Sequence, residues 1–164
     1  MQTAHTIRPA ETSEIPALAR LWHAGWQDGH AALLPVELTR LRTLRSFEDR
    51  LPAMLDDVRV IGEPGALLGF CYIKHDELDQ LFVAPDGRGA GIAAALVAHA
   101  EERLAADGVT TAWLACAIGN DRAARFYEKC GWKLTGTVTI RTDTIEGPFD
   151  LDVWRYEKTL VPTA

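Results

Sequence analysis

Apolar residues follow helical spacing in some segments of this chain and strand-like runs in others, which predicts a mixed α/β fold. Ile15, Leu18, Ala19, Trp22 and Trp26 recur at intervals of three and four residues, so they lie on one face of a helix. The other predicted elements are a strand over 6–9, one or two short helices between 35 and 55, strands over 58–61, 67–73 and 78–83, a helix over 92–106, a strand over 110–116, a short helix ending at 129, and closing strands over 134–141 and 150–156.

Turn residues predict how these segments connect. The Glu-Pro-Gly run at 63–65 is typical of a tight hairpin turn, and Pro85 ends the strand before it because proline has no N–H for a sheet ladder. The helix over 92–106 joins two strands as a crossover. The hairpins before this helix, together with the crossover, do not fit a purely parallel sheet. We expect residues 1–164 to form one domain. Thr12 or Ser13 is the expected cap of the first helix.

Residues 88–93, Arg-Gly-Ala-Gly-Ile-Ala, stand between an apolar strand and an alanine-rich helix. Small residues let the backbone approach a ligand closely. The first N–H groups of a helix have no intrahelical partners and carry the positive end of the helix dipole. This stretch therefore predicts a cradle for a diphosphate group.

The same loop also fits the G-x-G-x-x-A fingerprint of a dinucleotide-binding turn, at Gly89, Gly91 and Ala94. That interpretation requires an acidic residue about 20 positions on, at the end of the next strand. Here that strand ends with Ala115 and Cys116, and no carboxylate stands there. A dinucleotide-dependent oxidoreductase is therefore the weaker alternative.

Read as Arg-x-x-Gly-x-Ala, the loop resembles the pyrophosphate loop of the GNAT superfamily, the N-acetyltransferases that use acetyl-coenzyme A. Upstream, residues 77–85, Glu-Leu-Asp-Gln-Leu-Phe-Val-Ala-Pro, resemble the family's strand beside the acyl-pantetheine arm. Downstream, Asn120 and residues 124–132, Ala-Arg-Phe-Tyr-Glu-Lys-Cys-Gly-Trp, resemble the family's asparagine and the segment that ends in Y-E-K-x-G-F/W. The three blocks keep the family's order and cover roughly residues 66–135.

The resemblance implies a GNAT-like fold, with a mixed, largely antiparallel central sheet, helices on both faces and a V-shaped splay between two central strands. The acyl-CoA arm is expected in the splay, held by unpaired backbone groups, with its diphosphate on the loop amides. The residues expected to bind acetyl-CoA are Leu81, Phe82, Val83, Arg88, Gly89, Ala90, Gly91, Ile92, Ala93, Asn120 and Tyr127. Among them, Phe82 and Val83 are expected to act through the main chain, and Asn120 to cap a helix, contact the CoA arm, or do both.

The resemblance also implies that Tyr127 protonates the leaving thiolate, since a phenol with a pKa near 10 can donate that proton. The alternative for Tyr127 is packing beside Phe126 and Trp132.

Three residues are candidates for the general base that accepts the proton of the attacking amine. Glu77 is the better match to the catalytic glutamate of some family members, and Asp79, two residues on, is expected on the same side of the strand. His75 is an alternative by its pKa. The alternative is that all three residues form only a solvated acidic edge of the sheet.

Three residues fall where family members build the acceptor pocket: Trp22, Trp26 and His30. The helical spacing of Trp22 predicts a core position, whereas Trp26, His30 and also His75 are expected to contact substrate. The resemblance therefore implies an N-acetyltransferase that moves an acetyl group from acetyl-CoA to a primary amine by direct attack in a ternary complex. A non-catalytic acyl-CoA sensor is the alternative.

Composition narrows the partners. A net charge of −6 without a basic cluster excludes a nucleic-acid surface, and no segment approaches the roughly 18 apolar residues of a membrane span. Cys71, Cys116 and Cys130 lack metal-ligand spacing and are expected to be reduced thiols. We expect no metal, no targeting segment in residues 1–8, a cytoplasmic location, a small-molecule or peptide amine as acceptor, and closing strands able to pair in a homodimer.

Overall fold

A seven-stranded sheet forms the centre of the protein in the computed structural model, which describes residues 6–161. The strands are β1 (Ile7–Pro9), β2 (Val58–Glu63), β3 (Ala66–Lys74), β4 (Glu77–Val83), β5 (Thr111–Ala117), β6 (Lys133–Thr144) and β7 (Gly147–Thr159). The helices are α1 (Ile15–Gly29), α2 (Val36–Leu41), α3 (Leu44–Met54), α4 (Ile92–Ala106) and α5 (Asp121–Lys129), with short 3₁₀ turns at Thr12–Glu14, Leu55–Asp57 and Pro85–Gly87.

The strand order is β1-β2-β3-β4-β5-β7-β6, and neighbouring strands are antiparallel except β4 and β5. These two parallel strands are joined through α4, which is the predicted crossover. The mixed, largely antiparallel sheet is therefore confirmed.

Each face of the sheet carries its own apolar core. On one face α4 packs with Ile92, Leu96 and Val97 against buried residues of β3 and β5. On the other face the core takes the buried stripe of α1 and the apolar residues of α2 and α3. Trp22 is fully buried there, as its spacing predicts. The expected helices on both faces are thus present.

The V-shaped splay lies between β4 and β5. Within residues 6–161 these strands share one register pair, Glu77 with Trp113, and they separate beyond it. A bulge adds to the irregularity, because Leu78 pairs with Ile73 and Gln80 with Tyr72, which leaves Asp79 without a register partner. Main-chain groups of β4 that face the splay are therefore available to a ligand.

Two details differ from the sequence-based expectations. The cap of α1 is Glu14, because Thr12 and Ser13 are already coiled into a 3₁₀ turn. The closing strands run further than predicted, to Thr144 and from Gly147, and form one long hairpin. The expectation about a targeting segment falls largely on residues 1–5, which lie outside the described residues. None of the helices between residues 6 and 161 combines the length and apolar character of a membrane crossing.

Candidate active site

A cleft of about 460 Å³ opens where β4 and β5 separate. It is lined by these two strands, the loop before α4 and the start of that helix, the end of α1, and one side of α5 as far as Tyr127. The lining includes every residue expected at acetyl-CoA except Ala90, namely Leu81, Phe82, Val83, Arg88, Gly89, Gly91, Ile92, Ala93, Asn120 and Tyr127. Ala90 is exposed in the same loop. The structure thus brings the three sequence blocks together at one cleft.

The glycine loop owes its shape to two left-handed residues. Gly89 has a φ of 80° and Gly91 a φ of 76°, values that side chains disfavour. Gly91 is the N-cap of α4, and a backbone bond of that helix runs from Ala95 N–H to the Gly91 carbonyl at 3.0 Å. The backbone amides before Ala95 have no hydrogen-bond acceptor within the helix. They lie at the positive end of the helix dipole, which points to the cleft.

Arg88 stands at the exposed rim of this loop. Its guanidinium forms an ion pair with Asp28 near the end of α1, with 2.8 Å between nitrogen and oxygen. Both side chains are substantially exposed, so the pair contributes little to stability. The contact connects the loop to α1 across the cleft. No local sequence pattern had indicated that Asp28 lies there.

Asn120 serves as the cap of α5. Its side-chain oxygen accepts a hydrogen bond from Ala123 N–H at 3.2 Å. Its amide nitrogen lies on the side of Gly29, across the cleft that both residues line. Capping uses the oxygen, so the amide N–H groups remain as donors toward the cleft.

Tyr127 forms part of the cleft wall beside Phe126 and Cys116. The Tyr127 ring lies 5.3 Å from the Phe126 ring and 6.5 Å from the Trp132 ring, measured between centroids. Burial raises the pKa of the Tyr127 phenol above its usual value, and the nearby thiols raise it further. The phenol therefore stays protonated at neutral pH. Tyr127 therefore both packs against neighbouring aromatic rings and lines the cleft.

A second cavity, of about 730 Å³, lies on the α1 side of the sheet. We call it the acceptor-side cavity. Five residues line both cavities: His30, Asp79, Gln80, Ala115 and Ala117. The two spaces therefore meet at the bulge of β4 and at the end of β5.

Glu77 and Asp79 both line the acceptor-side cavity. Burial raises the pKa of Glu77 to about 8, and the charge of Asp79 and a hydrogen bond between the two carboxyl groups act in the same direction. The two side chains are close neighbours despite the bulge, which breaks the regular alternation used to place them on one side. A carboxyl group with a raised pKa is a stronger base once it is ionised.

Two of the residues expected at the acceptor line this cavity. Trp26 is buried and stacks on His30, with ring centroids 5.7 Å apart. The centroid of the His30 ring also lies 5.9 Å from that of Phe82. The Nδ1 atom of His30 is buried and has no hydrogen-bond partner among residues 6–161. Burial lowers the pKa of His30 to about 4, so the imidazole is neutral.

His75 is not brought to the site. It occupies the exposed turn between β3 and β4 with a φ of 55°, and it lies outside the lining of both cavities.

The acceptor-side cavity has further walls that sequence analysis missed. Residues 140–143 of the β6–β7 hairpin cover it, and buried Arg42 holds the hairpin tip. Arg42 donates to the Asp143 carbonyl at 2.8 Å and to the Thr142 hydroxyl at 2.7 Å. These contacts join positions about 100 residues apart, so no local pattern could have indicated them. Among the described residues, no group of three or more His, Cys, Asp or Glu side chains lies close enough to hold a metal ion.

Comparison with known proteins identifies the family. Residues 17–132 match the model of the acetyltransferase (GNAT) family. The chain belongs to this family. Its fold and its glycine loop agree with that membership, and the dinucleotide interpretation of the loop is set aside. As a GNAT protein, the chain is an acyltransferase.

Relatives and solved structures agree with this assignment. The peptidyl-lysine N-acetyltransferase YjaB of Escherichia coli is 30% identical over 147 residues, covering 89% of this chain and 92% of that protein. A GCN5-related N-acetyltransferase from Rhodopseudomonas palustris superposes with a TM-score of 0.75 at 21% identity, over 98% of each chain. The PaiA N-acetyltransferase from Thermoplasma acidophilum, solved with coenzyme A, gives a TM-score of 0.66 at 19% identity over 96% of this chain and 99% of that one. At these sequence identities, the two solved structures show that the fold is shared with this chain.

Proposed function

We propose that this GNAT protein transfers the acetyl group of acetyl-CoA to a primary amine by direct attack in a ternary complex. The observation that carries the proposal is the meeting of two cavities at the bulge of β4. The cleft has a phosphate cradle at one end and Tyr127 in its wall, and the acceptor-side cavity contains Glu77. Both substrates can then occupy the site together.

In this proposal acetyl-CoA lies in the cleft. The amides at the start of α4 bind its diphosphate, because they are unpaired donors at the positive end of a helix. Main-chain groups of Leu81, Phe82 and Val83 bind the pantetheine arm, since β4 has no strand partner on that side beyond Glu77. Arg88 and the Asn120 amide add polar contacts at the rim. The coenzyme A complex of the PaiA protein supports this choice of cosubstrate.

Glu77 is the proposed general base, and burial, together with the charge of Asp79, keeps its pKa high. The attacking amine must be neutral, although a free alkylammonium has a pKa near 10. A carboxylate whose pKa is about 8 accepts the ammonium proton at a lower free-energy cost than an ordinary glutamate, whose pKa is near 4.3. The nearby negative charge of Asp79 also favours binding of the ammonium form.

The amine nitrogen then attacks the thioester carbonyl carbon. A new N–C bond forms, and negative charge develops on the carbonyl oxygen, which a β4 backbone N–H that faces the splay stabilises. Collapse of the tetrahedral intermediate breaks the C–S bond. Tyr127 donates its phenol proton or hydrogen bond to the departing thiolate, and the nitrogen of the intermediate releases its second proton, which restores the phenol. Glu77 returns the first proton to solvent, and the products are the N-acetyl amine and free coenzyme A.

The acceptor is a small amine or a peptide amine. The name of YjaB points to lysine side chains as acceptors of that relative. In this chain Trp26 and neutral His30 supply an apolar wall near the shared border of the cavities, suited to the alkyl part of an amine. We retain a cytoplasmic location as a prediction, and the edge position of β6 leaves strand pairing in a homodimer as a second one.

An acceptor screen with acetyl-CoA tests this proposal. Amino acids, diamines, aminoglycosides and lysine-containing peptides are each supplied, and free thiol is measured together with the mass of the acetylated product. Amine-dependent thiol release with a mass gain of one acetyl group is expected. Binding of acetyl-CoA without amine-dependent release from any class would overturn the catalytic proposal.

A further inference from the structure

The acceptor-side cavity holds a cationic side chain that the proposed reaction does not use. Arg50 of α3 lies in its wall, with the guanidinium carbon 4.6 Å from the centre of the Trp22 ring and 6.0 Å from that of Phe47. Stacking fixes one face of the guanidinium and leaves its edge donors free.

Arg50 forms no ion pair or side-chain hydrogen bond with another residue of the described range 6–161. Asp79 and Asp143 are near enough to favour its charge, yet burial outweighs them and lowers the pKa of Arg50. Three other cations line the cavity. Arg42 is bound to the hairpin tip, Arg141 pairs with Asp150 at 3.3 Å, and Lys74 is exposed and is the register partner of Glu77.

A partly desolvated guanidinium without a direct partner is costly to keep, and an anion is the group that best satisfies it. The same cavity holds the carboxyl groups of Glu77 and Asp79 beside the opening to the cleft. A ligand that meets both features has a cationic amine near Glu77 and an anionic group elsewhere in the cavity.

We propose that Arg50 binds a carboxylate of the acceptor, so that the acceptor is a small amine that also carries an anionic group, such as a free amino acid. The proposal rests on the proposed acetyl transfer and narrows its substrate class.

The test compares acceptors that differ in one charge. Free amino acids with side chains of different length are assayed against their own carboxamides, and an Nα-acetyl-lysine amide represents a peptide lysine. The wild-type protein is expected to prefer the best carboxylate over its amide by at least about tenfold in kcat/KM, the typical effect of a charge-assisted hydrogen bond. Arg50→Gln is expected to bring this ratio close to one, mainly through KM.

Arg45→Gln is the matched control, because Arg45 lies on the same helix with its side chain 88% exposed. It should leave the ratio unchanged. Arg50→Lys keeps the charge and should retain part of the preference if Arg50→Gln does not fold.

The outcomes separate two kinds of failure. Equal use of carboxylates and amides by the wild type, efficient use of the Nα-acetyl-lysine amide alone, or an undiminished preference in folded Arg50→Gln would each overturn the assignment of Arg50 and leave acetyl transfer standing. Absence of transfer to every amine would instead count against the proposed function itself.

Discussion

Glu77 of β4 and Trp113 of β5 are register partners, and the two strands separate immediately beyond them. Glu77 therefore stands at the apex of the splay, at the start of the strand that lines the cleft. Trp113 is fixed there through its backbone N–H to the Asp76 carbonyl at 3.2 Å and its indole N–H to the Asp76 carboxylate at 3.1 Å. The proposed base is thus held by the same residues that begin the opening for the acyl arm.

Gly91→Glu should lower the affinity for acetyl-CoA by at least about 100-fold, because a carboxylate would face the diphosphate and the loop would lose its left-handed residue. Calorimetry on the folded variant measures this. Gly108→Glu is the control, since Gly108 also has a positive φ and open space around it but lies at the far end of α4. An equal loss in both variants would show that strain or net charge is responsible and would contradict the cradle.

Glu77→Gln should reduce turnover of a protonated amine at pH 7 by about 10² to 10⁴-fold, the usual contribution of general base catalysis. The defect should shrink as the pH approaches 10, because free amine becomes abundant. Rates under conditions where chemistry is limiting, measured from pH 6 to 10, test this. Glu102→Gln, an exposed change on α4, should follow the wild-type profile. Parallel profiles for Glu77→Gln and wild type would assign proton removal to another group or to water.

The raised pKa of Glu77 also predicts a pH dependence of stability. The folded-state pKa of about 8 lies above the unfolded value of about 4.3, so the folded state holds this proton more tightly. Its contribution is fully present below about pH 4.3 and is lost as the pH rises through 8, with a slope of at most about 1.4 kcal/mol per pH unit. Glu77→Gln cannot ionise and should avoid this loss.

Denaturant unfolding of the ligand-free proteins at pH 4.5, 6.5 and 8.5 measures that difference. The free energy of unfolding of Glu77→Gln relative to wild type should rise across this series. A difference that stays constant with pH would mean that the carboxyl group of Glu77 titrates alike in the folded and unfolded chains.

Tyr127→Phe keeps the ring and its packing and removes the hydroxyl from the cleft wall. We expect acetyl-CoA affinity and melting temperature to change little, and the single-turnover rate to fall by about 10² or less, because a thiolate is a fair leaving group. Tyr156→Phe is the contrasting variant. The Tyr156 hydroxyl donates to Glu128 at 3.1 Å outside the cleft, so its loss should cost about 1 kcal/mol of stability and leave the rate unchanged. A wild-type rate in Tyr127→Phe would falsify the general-acid role.

Arg42→Met should loosen the tip of the β6–β7 hairpin, since the Asp143 carbonyl and the Thr142 hydroxyl lose their donor. We expect a loss of about 1–3 kcal/mol of stability, faster amide hydrogen exchange at residues 142–149 and a higher acceptor KM. Acetyl-CoA affinity should persist, because Arg42 does not line the cleft. Arg40→Gln breaks only an exposed pair with Glu146 and should have little effect on any of these quantities. Unchanged exchange in Arg42→Met would remove the basis for treating the tip as a wall of the cavity.

Local sequence patterns were sufficient for the elements around the cleft. The bounds of α4 are those predicted, and Asn120 caps α5 as expected. The reason is that a strand, a glycine turn and a helix dipole are formed by neighbours in sequence, and each leaves a compositional signal. The family resemblance supplied the eleven residues expected at the cofactor, and ten of them line the cleft.

The acceptor side could be predicted only in part: Trp26, His30, Glu77 and Asp79 line the cavity, but its other walls and the position of His75 were not foreseen. Asp79 owes its position to a bulge that no residue type specifies, and Arg50 owes its environment to stacking on Trp22. His75 was expected as an alternative base and as a substrate contact, and the tight turn between β3 and β4 carries it to the surface. Long-range packing decides such positions, and packing has no signature in spacing or composition.

The hydrogen bonds between Arg42 and the β6–β7 hairpin also bear on the order in which the two cavities are completed during synthesis. The lining of the cleft ends at Tyr127, whereas the acceptor-side cavity needs walls from residues 140–153. A nascent chain therefore contains every lining residue of the cleft before it contains residues 140–153. Under the proposed function, the walls that contact the amine are completed only after the β6–β7 hairpin has been made and Arg42 has bound it.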